Sequence, residues 1–322
     1  MKIISLLLLV VACSHQPKTV IAHRGASGYL PEHTLESASM AHSFGVDFIE
    51  PDVVITKDDK AVLLHNIHLD QTTDVAVKFP KRKRKDGRYY VVDFTLKEIK
   101  SLNVYDSIDP ATGKLSYPPR FPYKTAKFEV PTLQEFIELV QGLNKTRGKN
   151  IGIYPELKMP EFHTKNGKDI AKLVLPILER YGYNSADANI YLQCFYPPTL
   201  KRLKTELGAK MKLVALIAEN DWAESSADYN YYKTEAGVAE LSQYVDGYGP
   251  WINQLMTKEG KDTGLVAIAH KYGLKVHPYT HRTDMIPSVF KTEEEFFDFF
   301  FGELNIDGIF SDFSDRAMKY AK

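Results

Sequence analysis

The sequence holds only two cysteines in 322 residues, Cys13 and Cys194. So few exclude a disulfide framework, and the fold must rest on a buried apolar core, for which the chain is long enough. Charge of one sign is lacking as well, with 41 Lys and Arg against 41 Asp and Glu. A duplex-binding chain shows a basic excess or stripe, so no nucleic-acid partner is expected. No apolar run reaches the roughly 20 residues that span a bilayer. Neither a GxxxxGK[ST] phosphate loop nor a G-x-S-x-G elbow occurs, which disfavours an NTPase and a serine hydrolase. No Cys-x₂-Cys pair is present, so zinc is not the expected metal.

What is there begins with a leader. Met1-Lys2 precedes an apolar run from Ile3 to Val11 broken only by Ser5, which reads as the h-region of a secretory signal. The run ends in Leu9-Val10-Val11-Ala12-Cys13, which resembles the lipobox of bacterial lipoproteins, where the cysteine is lipidated and becomes the first residue. A plain signal peptide with an incidental cysteine is the simpler alternative. The lipoprotein reading is preferred because Cys194, the only other cysteine, is then an unpaired buried thiol. Residues 1–12 are expected as signal peptide, 13–18 as a tether lipidated at Cys13, and 19–322 as one folded domain. Export to the periplasm, with an anchor in the outer membrane, follows as an expectation.

Short apolar runs then recur, and several stop abruptly at an ionisable or polar residue. Thr19–Ala22 leads into His23-Arg24, Val46–Ile49 into Glu50-Pro51-Asp52, and Ala61–Leu64 into His65. Asn150–Pro155 leads into Glu156-Leu157-Lys158 and Asn189–Leu192 into Gln193, with further runs at 213–217, 244–248, 274–277 and 307–310. Amphipathic stretches at 35–44, 132–143, 167–181, 198–207 and 263–272 read as helices between them. Strands alternating with helices imply βαβ units, and about eight of them imply a closed (β/α)₈ barrel of the TIM type. Its active site is expected at the C-terminal ends of the strands, where these polar residues fall. Residues 66–147 break the rhythm, carry the basic run Lys81-Arg82-Lys83-Arg84-Lys85, and are expected as an insertion over the barrel mouth.

Alternation of side chains puts Glu50 and Asp52 on one side of a strand, and Glu156 and Lys158 on one side of another. Three carboxylates and two histidines at strand ends suit either a hard metal site with acid/base partners or a set of structural ion pairs. Oxygen-only ligands on rigid strands favour Ca²⁺ or Mg²⁺ if a metal binds.

These residues resemble a known family. His23-Arg24-Gly25-Ala26, Pro31-Glu32-His33-Thr34, Glu50-Pro51-Asp52, His65 and Tyr154-Pro155-Glu156-Leu157-Lys158 look like the glycerophosphodiester phosphodiesterase family, nearest to its periplasmic branch. Lys85–Tyr90, Tyr191–Phe195 and Val276–Thr280 extend the resemblance from about Val20 to the C-terminus. It implies a barrel of the phospholipase-C-like phosphodiesterase type and hydrolysis of glycerophosphodiesters, such as glycerophosphocholine, to glycerol 3-phosphate and an alcohol. It implies that His23 and His65 are the acid/base pair, that Glu50, Asp52 and Glu156 hold one divalent cation, usually Ca²⁺, and that Arg24 contacts phosphate. The glycerol 2-hydroxyl is the implied nucleophile, giving a cyclic phosphate that water opens.

Glu32, Lys158, Gln193 and His277 are expected to line the substrate pocket, with Phe195 and Trp251 as walls or core. His33, His42, His68, His163, His270 and His281 are expected to be structural or at the surface. Asn66 follows His65 where the family has Asp. The competing readings are a phospholipase or sphingomyelinase of the same superfamily, which needs an exposed apolar rim, and a surface lipoprotein that binds a host protein through a barrel used as scaffold.

Overall fold

The computed structural model describes residues 17–322, so the expected signal segment and Cys13 lie outside the described residues. Eleven strands are present among the described residues: β1 (Thr19–Ala22), β2 (Phe48–Ile49), β3 (Asp52–Ile55), β4 (Ala61–Leu63), β5 (Gly152–Ile153), β6 (Glu156–Leu157), β7 (Tyr191–Cys194), β8 (Lys212–Ile217), β9 (Gly247–Pro250), β10 (Lys275–Val276) and β11 (Gly308–Ser311). Two pairs are single strands interrupted by proline. Pro51 separates β2 from β3 and Pro155 separates β5 from β6, because a residue without an N–H leaves a gap in the ladder.

Joined this way, eight parallel strands close on themselves. β1 pairs with β2 and with β11, and the ladder runs β3–β6–β7–β8–β9–β10. Hydrogen bonds from Asp307 N to Val276 O and from His281 N to Phe310 O complete the ring. The chain is a (β/α)₈ barrel with an insertion.

β4 departs from the expected series. It pairs antiparallel with β3, Val53 opposite Leu63. The turn from Thr56 to Lys60, closed by Thr56 N on Lys60 O, is far too short for the crossover that a parallel strand requires. Ala61–Leu63 is therefore half of a hairpin outside the ring, and His65 hangs from its end.

The expected helices form where periodicity placed them, at Leu35–Phe44, Leu133–Arg147, Ile170–Arg180, Pro197–Thr205 and Leu265–Lys271. Leu35–Phe44 starts on a Thr34 cap that accepts from Ser37 N and stops at Gly45, whose φ of 76° suits a left-handed C-cap. Leu133–Arg147 carries a Thr132/Glu135 capping box and buries Leu133, Phe136, Ile137 and Val140 in the main core. It packs on Leu35–Phe44 as a barrel helix, so the insertion ends near Pro131 rather than at Arg147.

The insertion has its own core. Ile67, Leu69, Val91, Phe94, Ile99, Val104 and Phe128 gather on Val54 and Val62, the outward residues of the β3–β4 hairpin. Its basic run is sorted by side. Arg82 turns inward to Glu98 and the Phe94 ring, and Arg84 to Asp93 and the Tyr90 ring, while Lys81, Lys83 and Lys85 stay exposed. No helix of the described residues is long and apolar enough to cross a membrane. Cys194 is buried and unpaired, with its thiol pushed up to about 12 by burial.

His163, on the helix Pro160–Lys165, is fully buried, and neither ring nitrogen has a hydrogen-bond partner among the described residues. Burial, with the Lys168 charge, pushes its pKa down to about 4. The unfolded chain takes up this proton near pH 6.5 and the folded chain does not. The neutral form thus contributes stability that is complete above pH 6.5 and lost as pH falls toward 4, on the order of 3 kcal/mol. His163→Leu is expected to flatten this dependence, and melting curves between pH 7 and pH 4.5 running parallel for both proteins would contradict it.

Candidate active site

The loop after β1 is shaped by its backbone. Arg24 and His33 adopt positive φ, 58° and 61°, conformations that non-glycine residues hold only when their surroundings fix them. Gly25, at φ 84°, passes so close to the Leu35–Phe44 helix that a Cβ would stand 2.9 Å from the Ser37 carbonyl carbon. This tight turn puts His23 and Arg24 against the carboxylates of the next strand.

Register does the rest. Asp52 lies opposite Glu156 and Glu156 opposite Gln193, so three adjacent strands present these residues at one level. Glu50, one residue before the Pro51 break, joins them, and ligand oxygens of Glu50, Asp52 and Glu156 lie within 4.8 Å of one another, all buried. Each carboxylate has a positive or hydrogen-donating neighbour. Gln193 Nε2 donates to Glu50 Oε1 at 2.6 Å, and Arg24 N to Glu50 Oε2 at 3.1 Å. His33 Nε2 meets Asp52 Oδ2 at 2.9 Å, and Lys158 Nζ stands 2.7 Å from Glu156 Oε1.

These neighbours do not neutralise the cluster. Burial and the charges of Asp52 and Glu156 hold Glu50 well above the usual carboxylate range. Burial, together with Asp52 and Glu224, holds Glu156 up at about 8 against the pull of Lys158. Asp52, although buried, is kept well below that range by His33, Lys158 and Arg24. Its Oδ1 has no partner among the described residues. An oxygen-only set with excess negative charge and a free carboxylate oxygen fits one hard divalent cation.

A cavity of about 250 Å³ opens over the cluster. His23, Arg24, Glu50, His65, Glu156, Gln193 and Glu224 give it polar lining, and Phe195, Trp222, Trp251 and Tyr279 aromatic lining. The two histidines differ in how they are held. His23 Nδ1 is 2.5 Å from Asp312 Oδ1, and its Nε2 is 3.7 Å from Glu50 Oε2. His65 makes no hydrogen bond among the described residues. Burial and the Arg24 charge lower both pKa values, that of His23 to about 4 and that of His65 well below its usual value, with Lys158 adding to the second.

The other expected residues divide. Glu32 accepts from Arg24 Nη1 at 2.7 Å and so holds Arg24 rather than reaching the cavity. Lys158 stands behind Glu156, and its second neighbour is Glu224 at 3.8 Å. His277 does not reach the cavity: its Nδ1 is 3.0 Å from the Tyr154 hydroxyl inside the barrel, among Tyr154 and Tyr191, and burial pushes it down to about 4. Asn66 donates to Gln71 of the insertion. Of the histidines set aside, His42 bonds Asn144, His270 bonds Asp307 and His281 bonds Ser311, whereas His33 sits directly on Asp52.

Sequence reasoning missed Asp312, Arg282, Glu224 and Trp222. Asp312 ends the last apolar run as His23 ends the first, and the same pattern reveals it. Arg282 lines the cavity, and the only hydrogen bond of its side chain among the described residues runs from Nε to Asp312 Oδ2, 2.8 Å. Arg282 and Glu224 lie on loops and Trp222 ends a single 3₁₀ turn, Asn220–Trp222, where no periodicity marks them.

A (β/α)₈ barrel that brings three carboxylates, two histidines and two arginines to one small cavity defines a hydrolase of anionic esters. The chain matches the Glycerophosphoryl diester phosphodiesterase family over residues 23–316, and it belongs to that family. It is thus an enzyme that cleaves phosphoric diesters. It is 45% identical to a glycerophosphodiester phosphodiesterase of Haemophilus influenzae, over 95% of this chain and 90% of that one. It is 35% identical to one of Treponema pallidum, over 97% and 94%. In fold it is similar to a phosphodiesterase of Oleispira antarctica solved with the product sn-glycerol-3-phosphate, at TM-score 0.63 and 21% identity over 94% and 96%.

Because His33 fixes the orientation and charge of Asp52, His33→Phe is expected to weaken divalent-cation binding by about 10- to 100-fold. Calorimetric titration measures this, and an unchanged affinity would show that Asp52 needs no such support.

Proposed function

We propose that the chain hydrolyses water-soluble glycerophosphodiesters, glycerophosphocholine among them, to sn-glycerol 3-phosphate and an alcohol. The observation that carries this is the convergence of Glu50, Glu156, His23, His65 and Arg24 on one cavity, with Asp52 completing the carboxylate cluster beside it, in a member of this family. The product held by the Oleispira antarctica relative supports the same reaction. In this reading Glu50, Asp52 and Glu156 hold one Ca²⁺, with Mg²⁺ as the alternative. When bound, the ion would offset the charge of the phosphate oxygens and stabilise what develops on them.

The residues then have separate tasks. Arg24, tied to Glu32, offers its guanidinium to the phosphate, and Arg282 has its terminal nitrogens free for the same purpose. The Asp312 carboxylate takes the Nδ1 proton of His23 in a hydrogen bond, leaving the Nε2 lone pair toward the cavity. His23 is thereby the base that removes the proton of the glycerol 2-hydroxyl. That oxygen attacks phosphorus and the bond to the leaving alcohol breaks. His65, whose pKa burial, Arg24 and Lys158 hold down, takes up a proton when the substrate's phosphate charge offsets those cations, and supplies it to the alcohol. Water opens the cyclic phosphate with the two roles reversed.

The aromatic lining supports a cationic alcohol. Trp222 and Trp251 stand with ring centroids 5.0 Å apart, and Glu224 lines the same cavity. Aromatic faces with a carboxylate suit a quaternary ammonium. Trp222 is also 41% exposed, the one observation that favours the phospholipase or sphingomyelinase reading, since it gives an apolar rim.

A coupled glycerol 3-phosphate assay separates these readings. Glycerophosphocholine is expected to give product that a chelator abolishes and Ca²⁺ restores, with intact phosphatidylcholine inert. His23→Ala and His65→Ala are each expected to lose at least about 100-fold in kcat. Trp222→Ala is expected to lose about 3- to 30-fold in kcat/KM on the choline ester, against little change on glycerophosphoglycerol. No product from any glycerophosphodiester would sink the proposal, and faster cleavage of intact lipid would favour the rival.

We also propose export and lipid anchoring at Cys13, supported by the apolar run and the Leu9–Cys13 motif. Cys13→Ser is expected to move the protein from the membrane fraction to the soluble one, and unchanged fractionation would contradict the anchor.

A further inference from the structure

The carboxylate that holds His23 is itself held from outside the barrel. Asp312 Oδ1 faces His23 Nδ1, and its Oδ2 accepts from Arg282 Nε and from Arg120 Nη2, each at 2.8 Å. Arg120 belongs to the insertion, 192 residues away in sequence, yet its side chain is only 4% exposed. The rest of its fork is used by two barrel loops. Nε and Nη2 donate to Asp284 at 2.9 and 3.2 Å, and Nη1 to the Ser27 carbonyl at 3.4 Å. The Tyr117 ring lies under the guanidinium, 3.8 Å from centroid to carbon.

A carboxylate with a histidine on one oxygen and a single cation on the other can still turn about its Cβ–Cγ bond. Two guanidinium groups on the second oxygen fix its plane, and with it the plane of the imidazole. The two arginines are not equivalent. Arg282 also lines the cavity and keeps its terminal nitrogens free, so its guanidinium is shared between Asp312 and an anionic substrate. Arg120 is fully committed to protein partners and stays on Asp312 when the cavity fills.

We infer that Arg120 is a positioning residue: docking of the insertion on the barrel clamps Asp312 and thereby aims His23 Nε2 at the reacting atoms. The inference rests on the reading of His23 as a proton-transfer residue. It gives the insertion a task in the chemical step although none of its side chains lines the cavity among the described residues.

The test is a double-mutant cycle in the full chain with Ca²⁺ and glycerophosphocholine. Arg120→Met is expected to lower kcat about tenfold with KM changed less than about twofold, as misaimed catalytic groups do. In an Asp312→Asn background the same change is expected to cost nothing more. Arg120→Lys, which keeps the charge but not the fork, is expected to recover part of the loss. An equal cost in both backgrounds, an unchanged kcat, or a loss confined to KM overturns the inference.

A second readout needs no turnover. The Nδ1 proton of His23, assigned by its disappearance in His23→Gln, is expected far downfield in the proton NMR spectrum and displaced upfield in Arg120→Met. An unchanged resonance overturns the inference, and it decides the matter if Asp312→Asn does not fold. A wild-type chain inert on every glycerophosphodiester would instead remove the function reading, leaving the resonance to judge Arg120 alone.

Discussion

Like charges do not share a dry space without compensation. Two carboxylates about 4–5 Å apart repel by roughly 3–4 kcal/mol even at an effective dielectric near 20, and here three are buried together. Much of the architecture around them answers that repulsion. Lys158 returns along the same strand to Glu156, Gln193 reaches from the neighbouring strand to Glu50, and His33 folds back from the loop after β1 onto Asp52. The compensation is incomplete, as the raised Glu50 and Glu156 show. Such a cluster on rigid strands fits a hard divalent cation, whose charge would complete the compensation.

The proline breaks leave this arrangement in register. Pro51 and Pro155 precede Asp52 and Glu156 in adjacent strands, and neither contributes a ladder N–H. The carbonyl ladder still runs through the breaks, from Tyr154 N to Ile49 O, Glu156 N to Pro51 O and Lys158 N to Val53 O, so Asp52 and Glu156 keep the register of the ring below. Beneath, the barrel interior is aromatic, with Phe48, Tyr154, Tyr191 and Phe310 packed around His277. A stiff floor supports a charged shelf.

Much of this was legible in the sequence, and the limits have physical causes. Strands that end in ionisable residues declared both the barrel and the positions of Glu50, Asp52, Glu156 and Gln193, because a period of two leaves few choices of face. Pairing direction was not legible from apolar content, so Ala61–Leu64 read as one more ring strand although its short turn forbids it. His277 looked like a pocket residue because strand ends mark level but not whether a side chain points up or into the floor. His33 and Arg120 were beyond reach for another reason. Each acts through a contact made by loop geometry, across 19 and 192 residues, and no local pattern encodes such a distance.

The hairpin that carries His65 has a consequence for how such a chain can diversify. Val54 and Val62 give the insertion its foundation, and the span that leaves at the Thr56 turn comes back at Pro131 against Leu63 of the same hairpin. Recombination between relatives at those two points would exchange an intact module with its own core, and the recipient barrel would keep its ligands, His23 and Asp312. The incoming module would bring its own His65 and its own residue at position 66. If His23 and His65 act as proposed, one half of the proton-transfer pair is heritable separately from the other, and the two halves of the site can have different ancestries.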